Sequence, residues 1–128
     1  VKTKTAITLI GSLNIIQGIA FYFGAETLTK QSFPADMLTK EAIEVGTAMH
    51  WPLAMSVTAL GIIILFTRNI PTEEAKKVLL GIGIAYTFFL FNGLAQHFTT
   101  PVNVPMPALI TLALAAILAF YTSQKAQA

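Results

Sequence analysis

The stretch AMHWPLAMSVTALGIIILF, residues 48–66, runs for 19 residues without an aspartate, glutamate, lysine or arginine. Coiled as a helix at 1.5 Å per residue it reaches about 28 Å, close to the roughly 30 Å of a bilayer's hydrocarbon core. It shows no period-2 alternation that would favour a strand. A helix also satisfies its own backbone hydrogen bonds, as any segment surrounded by lipid must. The stretch therefore predicts a membrane-spanning helix.

Working outward, three further runs meet the same requirement: AITLIGSLNIIQGIAFYF over 6–23, VLLGIGIAYTFFLFNGLA over 78–95 and VPMPALITLALAAILAFY over 104–121. The expected fold is all-α, an integral membrane antiparallel four-helix bundle forming a single four-span transmembrane domain over 1–128. Short connections join spans two to three and three to four, and a longer loop covers 24–47. Within that loop FPADMLTKEAIEVG is expected to hold a short helix, lying at the interface or continuing into span two. The first run is expected to be a retained span. Its apolar region is long for a cleaved signal, and Phe23 and Ala25 make a poor small-x-small site.

Composition supports this assignment. Hydrophobic residues make up 55% of the 128 and charged ones 11%, less than half the share usual in soluble domains. Mean hydropathy is +0.69. The charges cluster between the apolar runs, so a pI near 9.1 is no sign of nucleic-acid binding. Without cysteine, thiol chemistry and disulfides are absent. With four spans, Lys2, Lys4, Arg68, Lys76, Lys77 and Lys125 share one side against Lys30 and Lys40 on the other. The excess of basic residues predicts both termini in the cytoplasm, for a multi-pass protein of a bacterial inner membrane. In the turn NIPTEEAKK, Thr72 is expected to cap span three, Glu73 and Glu74 to complement its dipole, and Glu73 to pair with Lys77.

Lipid tails are as apolar as leucine, so the helices must associate through small residues and a few hydrogen bonds. Gly11 and Gly18 mark such a face on span one, Ala54 and Gly61 on span two, Gly93 with Tyr86 on span three, and Ala108, Thr111, Ala115 and Ala119 on span four.

The scarce polar side chains gather toward the outer half. His50 and His97 fall at similar depth on antiparallel spans, Asn92 about 7 Å deeper than His97. Gln17 reaches a comparable level, with Asn14 one turn below. One reading makes the histidines and Trp51 interfacial anchors, and Asn14, Gln17 and Asn92 interhelical hydrogen-bonding groups. Another makes Asn14, Gln17, His50, Trp51, Asn92 and His97 the polar set of an outer pocket. Phe88, Phe89, Phe91, Tyr22, Trp51 and Met55 would then wall a lipid or quinone. A third has His50 and His97 as axial ligands of haem b. Zinc has no supporting ligand spacing, Glu44 being the nearest third donor. No cofactor is required by the sequence.

No catalytic constellation is evident. The spans hold no acidic residue for a proton pump and no paired glycine and proline at mid-span for a discontinuous transporter helix. No serine, histidine and acid are placed as a triad. Gly81-x-Gly83 follows no strand and is not a nucleotide loop.

The chain resembles small bacterial four-helix membrane proteins of the DoxX-like kind. The likeness lies in GSLNIIQGIAFYFGAET (residues 11–27), a glycine-spaced first span running into a loop, and in EAIEVGTAMHWPLAMSVTALGIIIL (residues 41–65), an acidic lead-in and glycine before span two. The resemblance implies the four-span architecture; some members accompany membrane redox partners. It transfers no functional residue.

The leading expectation is thus a non-catalytic accessory or interaction subunit, with an apolar-ligand pocket at its non-cytoplasmic end. Its partners would be the lipid bilayer and a membrane protein or second copy, not nucleic acid. The rivals are a redox component using His50 and His97, and a small transporter or channel whose outer pocket continues toward Arg68.

Overall fold

A computed structural model describes residues 1–126; the last two residues of the domain expected over 1–128 lie outside them. The described chain is helical and holds no strand. Helix α1 covers Thr3–Phe23, α2 Ala25–Ser32, α3 Lys40–Phe66, α4 Thr72–Thr99 and α5 Met106–Lys125. All but α2 are long and apolar enough to cross a membrane. The expected four-span α-bundle is what the sequence folds into.

The termini of these helices follow local chemistry. α1 stops at Gly24, whose N–H donates to the Ala20 carbonyl at 2.9 Å. The chain then resumes as α2, a short amphipathic helix of about two turns that the sequence pattern did not foretell. Its exposed side carries the Lys30–Glu26 ion pair at 2.5 Å, while Ala25, Thr29 and Ser32 are buried. Pro34 ends it by forcing Phe33 into an extended conformation (φ −115°, ψ 147°). After a single 3-10 turn at Ala35–Met37, the Thr39 hydroxyl accepts from the Ala42 N–H at 3.1 Å and caps α3.

From there α3 runs unbroken for 27 residues, so the lead-in to span two is part of the same helix. Pro52 lies inside it. Its carbonyl accepts from the Ser56 hydroxyl at 2.8 Å. A 3-10 turn at Thr67–Asn69 leads to α4. Here two expectations are corrected. Pro71, not Thr72, occupies the capping position, with no side-chain cap. The first-turn ion pair is Lys76–Glu73 at 2.9 Å rather than Glu73–Lys77, because lysine at i+3 already occupies the carboxylate. At the start of α5, Pro105 and Pro107 sit where the missing N–H costs nothing.

Packing is uneven. α1 lies between two neighbours, with α3 along one side and the α4–α5 pair touching it on the other. The contiguous core is built from Ala6, Ile7 and Ile10 of α1, Ile64 of α3, Ala75, Leu79 and Tyr86 of α4, and Ala115, Ala116 and Ala119 of α5. Most of these residues belong to the half of the bundle that holds the chain termini. Toward the opposite end, hereafter the far end, α3 is packed on α1 and α2 rather than on α4. One backbone bond there ties α2 to the α4–α5 connection: the Asn103 N–H donates to the Ser32 carbonyl at 2.7 Å.

The α1–α3 contact is as close as backbones allow. A Cβ on Gly11 would lie 2.8 Å from Leu65 and 3.0 Å from the Gly61 carbonyl oxygen. One on Gly61 would lie 2.7 Å from the Gly11 carbonyl oxygen, and one on Gly18 2.8 Å from the Ala54 carbonyl oxygen. Glycine is required at Gly18 and Gly61 because main-chain atoms stand across from them, while at Gly11 the Leu65 side chain presses closest. α4 and α5 meet through side chains instead: a Cβ on Gly83 would lie 3.0 Å from the ring of Phe120, and one on Gly93 2.7 Å from the Leu109 side chain.

Candidate functional site

The six polar and aromatic residues singled out by sequence do not converge. Asn14 is buried in the bundle, where its amide donates to the Tyr86 hydroxyl of α4 and to the Ile10 carbonyl at 2.8 Å. It joins α1 to α4 across the core. Gln17, three residues further, is half-buried.

His50 is turned away from α1 and toward α2. Its Nδ1 lies 2.7 Å from the Gly46 carbonyl and 3.2 Å from the Thr29 hydroxyl. A carbonyl can only accept, so Nδ1 carries the proton. Thr29 spends its own hydrogen on the Ala25 carbonyl at 2.9 Å and so accepts from the imidazole as well. Of the two neutral tautomers the fold thus selects the one protonated at Nδ1. Gly46 belongs to the same contact, since a Cβ there would run into the Thr29 methyl. His50 is therefore the clasp that holds α2 against α3.

His97 occupies the inward face of α4, where its Nδ1 is buried without a hydrogen-bond partner and its ring meets Phe98 edge-on at 5.2 Å. His50 and His97 thus stand on helices that do not pack together. Asn92 is exposed on the outside of α4. Phe88, Phe89 and Phe91 also point outward and form no wall with Tyr22, Trp51 and Met55. The sequence fixes how deep each of these residues lies; it does not carry the rotation of α4, which turns Asn92 and the three phenylalanines outward.

Two adjoining concavities do lie at the far end, both on α3. The first is an apolar groove of about 350 Å³ between α1 and α3, lined by Gly18, Tyr22, Ala54, Met55, Thr58 and Ala59 among others. The small residues of the α1–α3 seam form its floor. The second is an open notch of about 720 Å³ between α2 and α3, lined by Glu26, Lys40, Ile43, Glu44, Thr47, Ala48 and Trp51. Tyr22 lines the groove and Trp51 the notch, and their rings stand 6.2 Å apart at 33°. Neither histidine lines either concavity. Arg68 lines a separate notch of about 290 Å³ with Leu65, Phe66 and Asn69, sharing no residue with the first two. A pocket running from the far end to Arg68 is not formed by these three.

Sequence reasoning missed Thr29, Tyr22's partnership with Trp51 and the charged rim of Glu26, Lys40 and Glu44. The small face Ala25, Thr29, Ser32 at i, i+4, i+7 and the i, i+4 pair Glu26–Lys30 were the available signals for α2. Among the described residues no group of three or more histidine, cysteine or acidic side chains is arranged to hold a metal ion.

Comparison with known proteins returns no matching family model, no matching curated protein and no matching solved structure. The reading of the site therefore rests on its own geometry.

Proposed function

We propose that this is a non-catalytic accessory protein of a bacterial inner membrane, with both termini cytoplasmic, that seats one amphiphilic lipid at its non-cytoplasmic end. One observation carries the reading. The Tyr22–Trp51 pair stands between an apolar groove and a notch rimmed by Glu26, Lys40 and Glu44. Aromatic rings with a polar edge favour the headgroup level. An acyl chain would follow the groove, made accessible by Gly18, Ala54 and Ala59, while its headgroup meets the notch. Lysine and glutamate together suit a zwitterion, the ammonium of Lys40 facing phosphate and the carboxylates of Glu26 and Glu44 facing an amine. The four-span architecture of the DoxX-like resemblance is compatible with this role and adds nothing to it.

Native mass spectrometry of delipidated protein supplied with phosphatidylethanolamine tests the reading. The wild-type chain is expected to retain one lipid. Ala59→Phe, which fills the groove from an exposed position without entering the α1–α3 seam, is expected to retain none while keeping its thermal stability. Equal retention by both, or bare protein in both, refutes the proposal. Orientation is tested separately: a cysteine in place of the exposed Gln31 should react with an impermeant maleimide from outside intact spheroplasts.

A further inference from the structure

The two ends of the bundle carry opposite charge. The end that holds the termini has six basic residues against Glu73 and Glu74, whereas the far end has Lys30 and Lys40 against four acidic residues. Part of that basic charge is already committed or turned away. Lys76 is bonded to Glu73 at 2.9 Å. Lys77 lies two residues from both Ala75 and Leu79, which are buried, and so points away from the interior. Arg68 is different. It lines the notch of about 290 Å³ with Leu65, Phe66 and Asn69, and among the described residues it enters no ion pair.

Arg68 is the first charge after the uncharged run of 48–66. Its guanidinium therefore stands at the hydrocarbon boundary, at the level of lipid phosphates. Phe66, two residues back, is 84% exposed, and Ile63, one turn further, is exposed as well. A cationic tip is thus joined to an apolar strip that continues into the hydrocarbon.

The register of the α1–α3 seam brings a second cation to this corner. A Cβ on Gly18 would meet Ala54 and Thr58, and one on Gly11 would meet Gly61 and Leu65. Seven residues back along α1 answer to seven forward along α3. The next such step leads from Gly11 to Lys4 and from Gly61 to Arg68, and α1 does touch the Thr67–Asn69 turn. Each step of seven rotates a helix by only about 20°, so Lys4 stays on the seam face of α1. It is exposed and, among the described residues, also enters no ion pair.

We infer that this corner binds the phosphate of one anionic phospholipid, with Arg68 and Lys4 as counter-charges and Phe66 and Ile63 along its acyl chain. A guanidinium presents paired N–H donors that match two phosphate oxygens, and the Asn69 amide adds a donor within the notch. No carboxylate lines this notch, whereas Glu26 and Glu44 line the one at the far end. Nothing here answers a headgroup amine, so the occupant is an anionic lipid and not a zwitterion. Arg68 follows Trp51 by 17 residues, about 25 Å along α3, and the site does not depend on the seat proposed at the far end.

Native mass spectrometry of delipidated protein offered equal amounts of phosphatidylglycerol and phosphatidylethanolamine tests the inference. The wild-type chain is expected to retain one phosphatidylglycerol. Arg68→Gln and Lys4→Gln should each cut that adduct about fivefold, while keeping whatever phosphatidylethanolamine the wild type keeps and the same thermal midpoint in detergent. Lys77→Gln removes equal charge from the same end and should leave the adduct at its wild-type level. Equal losses in Lys77→Gln and Arg68→Gln would reduce the effect to diffuse charge and overturn the site. Retention insensitive to Arg68→Gln, parallel loss of both lipids, or displacement of the lipid by inorganic phosphate at matched concentration would overturn it too. A lowered midpoint in both variants would assign the two cations to the fold instead.

Discussion

The seam between α1 and α3 and the outward face of α4 are made of the same residue types in the same solvent. Each combines glycine, alanine and an asparagine on an apolar helix. In the seam, Gly11, Gly18 and Gly61 are pressed against main-chain atoms, and Asn14 is hydrogen-bonded to Tyr86. On α4, Gly81 faces open space and Asn92 is unpartnered. Small residues in a membrane helix thus acquire meaning only from what lies across from them. Where a neighbour within the chain is present, they bring backbones together. Where none is present, they lie open between the larger apolar side chains Ile84, Phe88 and Phe91.

The sharpest way to break the comparison is to enlarge a glycine on the crowded side. Gly18→Leu places its Cβ 2.8 Å from both the Ala54 carbonyl oxygen and the Thr58 nitrogen. Backbone cannot rotate aside, so the helices must separate, at a cost of about 3 kcal/mol. Gly93→Leu should cost less, about 1–2 kcal/mol, since it meets only the end of the Leu109 side chain. Both should exceed His50→Ala, which loosens the short α2 without entering the bundle core. Thermal unfolding in detergent ranks the three; equal midpoints would show that the seam does not hold the fold.

The next effect concerns the two asparagines. Asn14→Leu leaves the Tyr86 hydroxyl without its partner inside the bundle, and Tyr86→Phe does the converse. A double-mutant cycle should return a coupling of about 1 kcal/mol, the range found for interhelical hydrogen bonds in membranes. Asn92→Leu should leave monomer stability unchanged. If the two asparagines behave alike, the assignment of one to the core and the other to the surface is wrong.

These contrasts also mark how far the sequence could be read. The spans were legible because lipid imposes a length and an absence of charge that few other environments demand. The α1–α3 seam was legible as well: Gly11, Gly18, Ala54 and Gly61 repeat at seven-residue spacing, and the structure places them together. The polar cluster was legible only in one coordinate. Counting residues along each span fixes depth, so His50 and His97 fall at similar levels and Asn92 about 7 Å deeper. Rotation about the helix axis and the choice of neighbour are set by packing between helices, which a single sequence does not print. His50 therefore joins α2, Asn14 joins Tyr86, and Asn92 faces out. α2 escaped notice because its eight residues make too short a period to stand out beside long apolar runs.

A smaller effect lies at the clasp between α2 and α3. Thr29→Val keeps the shape of the side chain and removes its hydroxyl. The bond to the Ala25 carbonyl and the contact with His50 are lost together. Because α2 spans only eight residues, its attachment rather than its own helicity keeps it in place. The expected loss is about 1 kcal/mol, confined to α2. Amide exchange should quicken over 25–32 with the α1–α3 seam unchanged. Faster exchange throughout the bundle would mean that the clasp supports more than its own helix.

The smallest effect has the opposite sign. Glycine inside a helix is disfavoured relative to alanine by up to about 1 kcal/mol, because it loses more backbone freedom on ordering. At Gly18 that cost is outweighed by contact with α3. At Gly81 the added methyl meets nothing within 4 Å, so no contact inside the chain offsets it. Gly81→Ala should therefore raise the thermal midpoint of the detergent-solubilised monomer slightly, whereas Gly18→Ala should lower it. A drop in monomer stability on Gly81→Ala would mean that some part of the chain does press against this face, and the distinction between seam and surface would fail at its most exposed glycine.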